Sequence, residues 1–150
     1  LQDPTVEVAV LEAARGGILR SGLGFNACDV GIVLNVAADH LGIGDINTVE
    51  QLAHLKSVVA ETVFPHGYAI LNADDPLVAA MAKRVKAQVA YFSLNPDNPI
   101  IREHARHGGL AAVHESGYLS ILQGDIKLRL EQSVNVPLTM GGRASFAIAN

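Results

Sequence analysis

Four short apolar runs divide the first 92 residues, each closed by a polar turn. Residues 6–11, 29–36, 68–72 and 88–92 are rich in Val, Ile, Leu and Ala, and they read as buried strands. Two segments of helical period lie between the later runs. The first opens at Asn47 or Thr48, where Asn47 with Glu50, or Thr48 with Gln51, can form a capping box. It runs to about Val63 with Val49, Leu52, Ala53, Val59, Ala60 and Val63 on one face. The second opens at Asp75, a capping residue, with Pro76 in the first helical position. Leu77, Val78, Met81, Ala82 and Val85 form its apolar side, and Lys83, Arg84 and Lys86 suit the negative end of its dipole. Pro65-His-Gly67 breaks the chain before the third run. Alternating strands and helices predict an α/β fold with a mainly parallel sheet flanked by helices.

From Ser93 the pattern changes. Asn95-Pro-Asp-Asn-Pro99 is a turn cluster. Residues 110–114, 118–122 and 126–130 then alternate around Glu115-Ser-Gly117 and Gln123-Gly-Asp125. This predicts a small antiparallel meander beside the main sheet. Residues 143–150 carry the pattern of a last helix. The expected organisation is therefore a parallel α/β part over 1–92, a meander over 93–139 and the start of a helix over 140–150.

Composition narrows the classes. Apolar residues are 49% of 150, enough for a core, and the scarcity of aromatics fits a sheet covered by helices on both faces. A net charge of −4 with no basic run argues against nucleic acid. Cys28 stands alone, so no disulfide framework exists, and it reads as a packed thiol in a cytoplasmic protein. No apolar run is long enough to span a bilayer, and no signal peptide is visible. The chain starts without Met and reads as a piece of a longer protein.

Candidate chemistry collects at strand ends. Asn35-Val-Ala-Ala-Asp-His40 places Asp39 and His40 just past the second run, at the edge where parallel sheets bind ligands. Glu12 follows the first run, with Gly16 and Gly17 behind it to admit a close ligand; an ordinary strand exit with an exposed Glu is the alternative. Lys56 falls in the middle of the first helix's apolar face, where a lysine is out of place. It either snorkels, with its ammonium reaching water, or it works as a buried amine. Burial disfavours the charged form, and a neutral amine can add carbon dioxide to give a carbamate, an anionic metal ligand. Asn72 and Asp74 could touch a ligand or serve only as turn and cap. His104 and His107 are at helical spacing without a further ligand nearby, and solvent-exposed histidines are expected there.

Glu12, the Asn-x-x-x-Asp-His run at 35–40, Lys56 on the following helix and the Asn72-Ala-Asp-Asp75 turn resemble, in order and spacing, the central ATPase domain of the Mur ligase superfamily. Leu11-Glu-Ala-Ala-Arg-Gly-Gly-Ile-Leu-Arg20 and Val136-Pro-Leu-Thr-Met-Gly-Gly-Arg143 resemble the member that adds arginine to side-chain carboxylates of a poly-aspartate chain. The resemblance covers essentially all 150 residues. It implies an ATP-dependent amide ligase working through an acyl phosphate, with ATP and Mg2+ as cofactors and poly-aspartate and arginine as substrates. It also implies a homo-oligomeric full-length protein. Carried over by position, Glu12, His40 and a carbamylated Lys56 would hold magnesium, and Asn150 and Asn72 would contact the nucleotide.

The chain departs from the family pattern in three ways. No G-x-x-x-x-G-K-[ST] stretch is present, so a phosphate-cradling loop would lie upstream. An amine-binding domain would lie downstream, and the isolated chain is expected to be inactive. Phe146 is followed by Ala147 where many members have Asn. A peptidoglycan or folate ligase and a non-catalytic fragment are the alternatives; a two-metal hydrolase would want a His-x-His strand that is missing.

Overall fold

The computed structural model describes residues 3–38, 41–42, 46–144 and 147–148. Six strands form one sheet in the order of the chain: β1 (Cys28–Val33), β2 (Val63–Asn72), β3 (Gln88–Ser93), β4 (Leu110–Glu115), β5 (Tyr118–Gln123) and β6 (Ile126–Gln132). β1 to β4 pair in parallel, and β4, β5 and β6 pair antiparallel. The helices are α1 (Arg15–Ser21), α2 (Val49–Glu61), α3 (Pro76–Ala79) and α4 (Pro99–Arg106). The expected α/β class and the antiparallel hairpins are found. The meander does not stand beside the sheet, however. Ala90 to Ser93 pair with Leu110 to Val113, so β4 is the fourth parallel strand and the hairpins extend the same sheet.

Local chemistry explains these elements. Thr48 caps α2: its hydroxyl accepts from the Gln51 amide while the Gln51 side chain accepts from the Thr48 amide, a capping box of the Thr48–Gln51 kind. Asp75 caps α3 through the Leu77 and Val78 amides, and Pro76 follows. That helix lasts four residues and tightens into a 3-10 turn over Ala80–Arg84. Asn98, at the end of the turn cluster, caps α4 through the Ile100 amide. Pro65-His-Gly67 does not end an element. It is absorbed as an irregularity inside β2, where Cys28 pairs with Val63 but Val30 already pairs with Tyr68.

Helix α2 buries Leu52, Ala53 and Ala60 against Val33, Ala69 and Leu71, and α3 and the turn after it add Val78 and Met81. Cys28 packs half-buried on this cluster, and burial pushes its thiol above the usual range. Helix α4 buries Ile101 and Ala105 against Ala111 and Val113. Leu71, Tyr91 and Ala111 are register partners, so both clusters lie on one face of the sheet. Among the described residues no helix covers the other face, where Val30 and Ile32 are each 51% exposed. This corrects the expectation of helices on both faces.

Residues 6–11 are a second correction. They are not a buried strand: Val8 is 80% and Val10 94% exposed, and they pair with no strand among the described residues. Apolar alternation makes a strand only where a ladder partner and a facing layer exist, and among the described residues the segment has neither. Gly16 and Gly17 lie in the first turn of α1. The expected helix over 143–150 falls partly on Ser145, Phe146, Ala149 and Asn150, outside the described residues.

Candidate active site

The site is built around the exit of β1. Three bonds fix the backbone there. The Asn72 side-chain amide donates to the Leu34 carbonyl at 2.8 Å. The Val36 amide donates to Asp75 Oδ2 at 2.7 Å. The Lys56 ammonium donates to the Asn35 carbonyl at 2.7 Å. In extended chain, successive peptide groups point to opposite edges. Leu34 and Val36 are accordingly held by residues from the end of β2, while the Asn35 carbonyl between them is taken by a residue of α2.

Lys56 is half-buried on α2, one turn from buried Leu52, Ala53 and Ala60. Its nitrogen donates to a backbone oxygen in an exposed bond. A carbonyl partner suits a nitrogen that keeps at least one N–H.

Glu12 and Lys56 line the same cleft, about 490 Å³ in volume, with Arg15, Leu34, Asn35 and Leu52 among its other walls. Two of the three groups expected to hold metal are thus brought together. His40 and Asn150 lie outside the described residues. Among the described residues no group of three His, Cys, Asp or Glu is placed to hold a metal. Among the described residues, Glu12 is the carboxylate that lines the cleft. A hard oxygen-seeking ion that keeps water and phosphate as its other ligands fits such a carboxylate.

The Asn72-Ala-Asp-Asp75 turn joins elements. Asn72 Oδ1 accepts from the Asp74 amide at 2.8 Å. Asp74 accepts from Ser93 Oγ at 2.5 Å, the Leu94 amide at 2.8 Å and Asn98 Nδ2 at 2.9 Å, tying β2 to β3 and to the start of α4. Asp74 thus serves as a tie between elements. Asn72 keeps one amide hydrogen and one lone pair beyond these bonds.

Of the two histidines expected to be solvent-exposed, His104 differs and His107 does not. His104 is half-buried: its Nε2 lies 3.0 Å from the Val89 carbonyl and its ring meets Tyr91 edge-on, 4.9 Å between centroids. His107 is exposed at the helix end. Sequence reasoning missed two partners, the Asn35 carbonyl and the second oxygen of Asp75. Asn35 lies inside the second apolar run and Asp75 three residues past the third, and neither position signals the bond that its oxygen or its neighbour makes.

The sequence profile of the Mur ligase middle domain matches residues 1–139. The chain belongs to the Mur ligase family. Across its whole length this Mur ligase domain is 72% identical to a cyanophycin synthetase of Crocosphaera subtropica and 70% identical to one of Synechocystis sp.. It spans 17% of the length of each. It is also 44% identical over 64 residues, 43% of the chain and 12% of the relative, to a UDP-N-acetylmuramoyl-tripeptide--D-alanyl-D-alanine ligase of Mycobacterium bovis. The first two are relatives across every element from α1 to β6; the last matches less than half of the domain.

Proposed function

We propose that this Mur ligase domain belongs to a cyanophycin synthetase and serves its arginine-adding reaction. ATP would phosphorylate a side-chain carboxylate of poly-aspartate. The amine of arginine would then attack the acyl phosphate, forming the amide bond and releasing phosphate. The observation that carries the reading is identity of 65–72% over the whole chain to five cyanophycin synthetases. The joint cleft of Glu12 and Lys56 supports it.

The residues of this chain have definable parts in that reading. Glu12, His40 and a carbamylated Lys56 would hold magnesium. When bound, the ion supplies positive charge against the charge that develops on the transferring phosphoryl group. A carbamate nitrogen retains a single N–H, so the bond from Lys56 to the Asn35 carbonyl survives carbamylation and orients the group. Asn72, with its remaining hydrogen-bonding capacity, and Asn150 would contact the nucleotide. The remainder of the site would be supplied by other parts of a longer protein, and the 150-residue chain alone is proposed to be inactive. The same reading includes a cytoplasmic location and a homo-oligomeric full-length protein; no helix among the described residues is long and apolar enough to cross a membrane.

A peptidoglycan-type ligase is the second reading, favoured by the match over 64 residues to the D-alanyl-D-alanine-adding relative. One experiment separates them. Phosphate release by the full-length protein is measured with poly-aspartate as acceptor and arginine as amine, against D-alanyl-D-alanine with a muramoyl-tripeptide acceptor. Turnover with poly-aspartate that requires both ATP and arginine is the expected result. Turnover only with the muramoyl acceptor overturns the first reading.

A further inference from the structure

The geometry points to Asp75 as a positioning residue that sets the exit of β1, and through the Asn35 carbonyl sets Lys56. The inference rests on the ligase reading of the cleft and adds a residue to it. Asp75 does two jobs with two oxygens. Oδ1 accepts from the Leu77 and Val78 amides at 2.9 and 3.2 Å and caps α3. Oδ2 accepts from the Val36 amide at 2.7 Å, 39 residues away in sequence. Capping a helix needs only the first oxygen; many caps are Ser or Thr. The second oxygen is what joins α3 to the segment that leads towards His40.

The bond closes a short chain of contacts. Asn72 fixes the Leu34 carbonyl and Asp75 fixes the Val36 amide, so the peptide groups on both sides of Asn35 are held. The Asn35 carbonyl between them is therefore presented in one direction, and Lys56 Nζ lies on it at 2.7 Å. β1 is the outermost strand, and its exit has no further strand beside it among the described residues. Side chains from the end of β2 take the place of ladder bonds at the point where the parallel ladder stops, at Val33 with Leu71. Without Oδ2 the Val36 amide loses its acceptor, the exit is free to turn, and the Asn35 carbonyl no longer has a fixed direction for Lys56. Misplacing a reacting group by about 1 Å can cost on the order of a hundredfold in rate.

The test uses Asp75→Asn and Asp75→Ser in the full-length protein. Both replacements still cap a helix. Ser offers no second oxygen, and Asn, with its oxygen on the cap, turns an N–H towards Val36. Hydrogen exchange is followed by mass spectrometry on peptides containing Val36, and arginine addition to poly-aspartate is followed as kcat and KM. The expected result is faster exchange confined to the β1 exit and, in both variants, a kcat lower by about tenfold or more with KM for arginine little changed. Unchanged exchange at the exit overturns the clamp. Raised exchange with wild-type kcat overturns the positioning role, as does loss of protection throughout the domain in both variants, which would make Asp75 a structural cap alone. A wild-type protein without arginine-adding activity would overturn the ligase reading instead, while the exchange measurement still decides whether Asp75 holds the exit.

Discussion

Gly67 lies so close to Asp29 that a Cβ on it would fall 2.1 Å from the Asp29 carbonyl oxygen. The neighbour is backbone and cannot swing aside. β2 therefore approaches β1 through its irregular segment only because residue 67 has no side chain. Gly67→Ala is expected to destabilise the domain by about 3 kcal/mol or more, since overpacking against fixed atoms forces the strands apart. Chemical denaturation should show it as a lower midpoint. Gly31→Ala should behave likewise, because a Cβ there would meet the Val59 carbonyl oxygen of α2 at 2.6 Å.

Lys56 is expected to be intolerant of arginine. In the full-length protein, Lys56→Arg and Lys56→Ala should each lose most arginine-adding activity while the fold persists. Guanidinium stays positive and cannot take up carbon dioxide, so added bicarbonate should not restore Lys56→Arg. Near wild-type rates for Lys56→Arg would reduce Lys56 to a helix residue resting on a backbone carbonyl. Added short carboxylates should restore a little activity to Lys56→Ala by standing in for the carbamate.

Asp74 gathers three donors from β3 and from the start of α4. Asp74→Ala is expected to cost about 2 kcal/mol in thermal or urea unfolding, because Ser93, Leu94 and Asn98 then lose a charged acceptor. Exchange should rise at the Leu94 amide first.

Glu61 links stability to pH. Burial pushes its carboxyl up, but the Ser57 hydroxyl and the Arg84 guanidinium outweigh this and hold it below the usual carboxylate range. A carboxyl depressed in the folded state contributes stability above its unfolded value, about 4.3, and loses it as pH falls through the folded value. Glu61→Gln should therefore unfold more easily than wild type at pH 7, by no more than about 1 kcal/mol because the Arg84 pair is partly solvated. The difference should shrink in unfolding curves taken below about pH 4.

The fold was legible where local signals and burial agree. Thr48 with Gln51 and Asp75 with Pro76 mark helix starts by chemistry that needs no tertiary partner. The hairpins at Gly117 and Gly124 were legible because both glycines take the positive φ that such tight connections require. Residues 6–11 were misread because alternation records what a segment is able to bury, not whether a partner lies beside it. The join of β4 to β3 was hidden because side-by-side pairing of two strands leaves no mark in either strand's own pattern. Of the cleft lining, Glu12 and Lys56 could be singled out because each stands beside or within an apolar pattern of the sequence. The Asn35 carbonyl could not be, since a backbone oxygen has no identity in a sequence.

The order β1 to β6 follows the order of the chain, so each strand finds its partner in the segment made just before it. Loops closed on folding are then short, and closure entropy is small at each step. The sheet can grow from one hairpin or one strand–helix–strand unit outward without waiting for a distant segment. The cleft belongs to the strand at one end of that series, β1, which among the described residues has a partner on one side only. The exit loop at Asn35 is then expected to be among the last parts to become ordered and among the first to open.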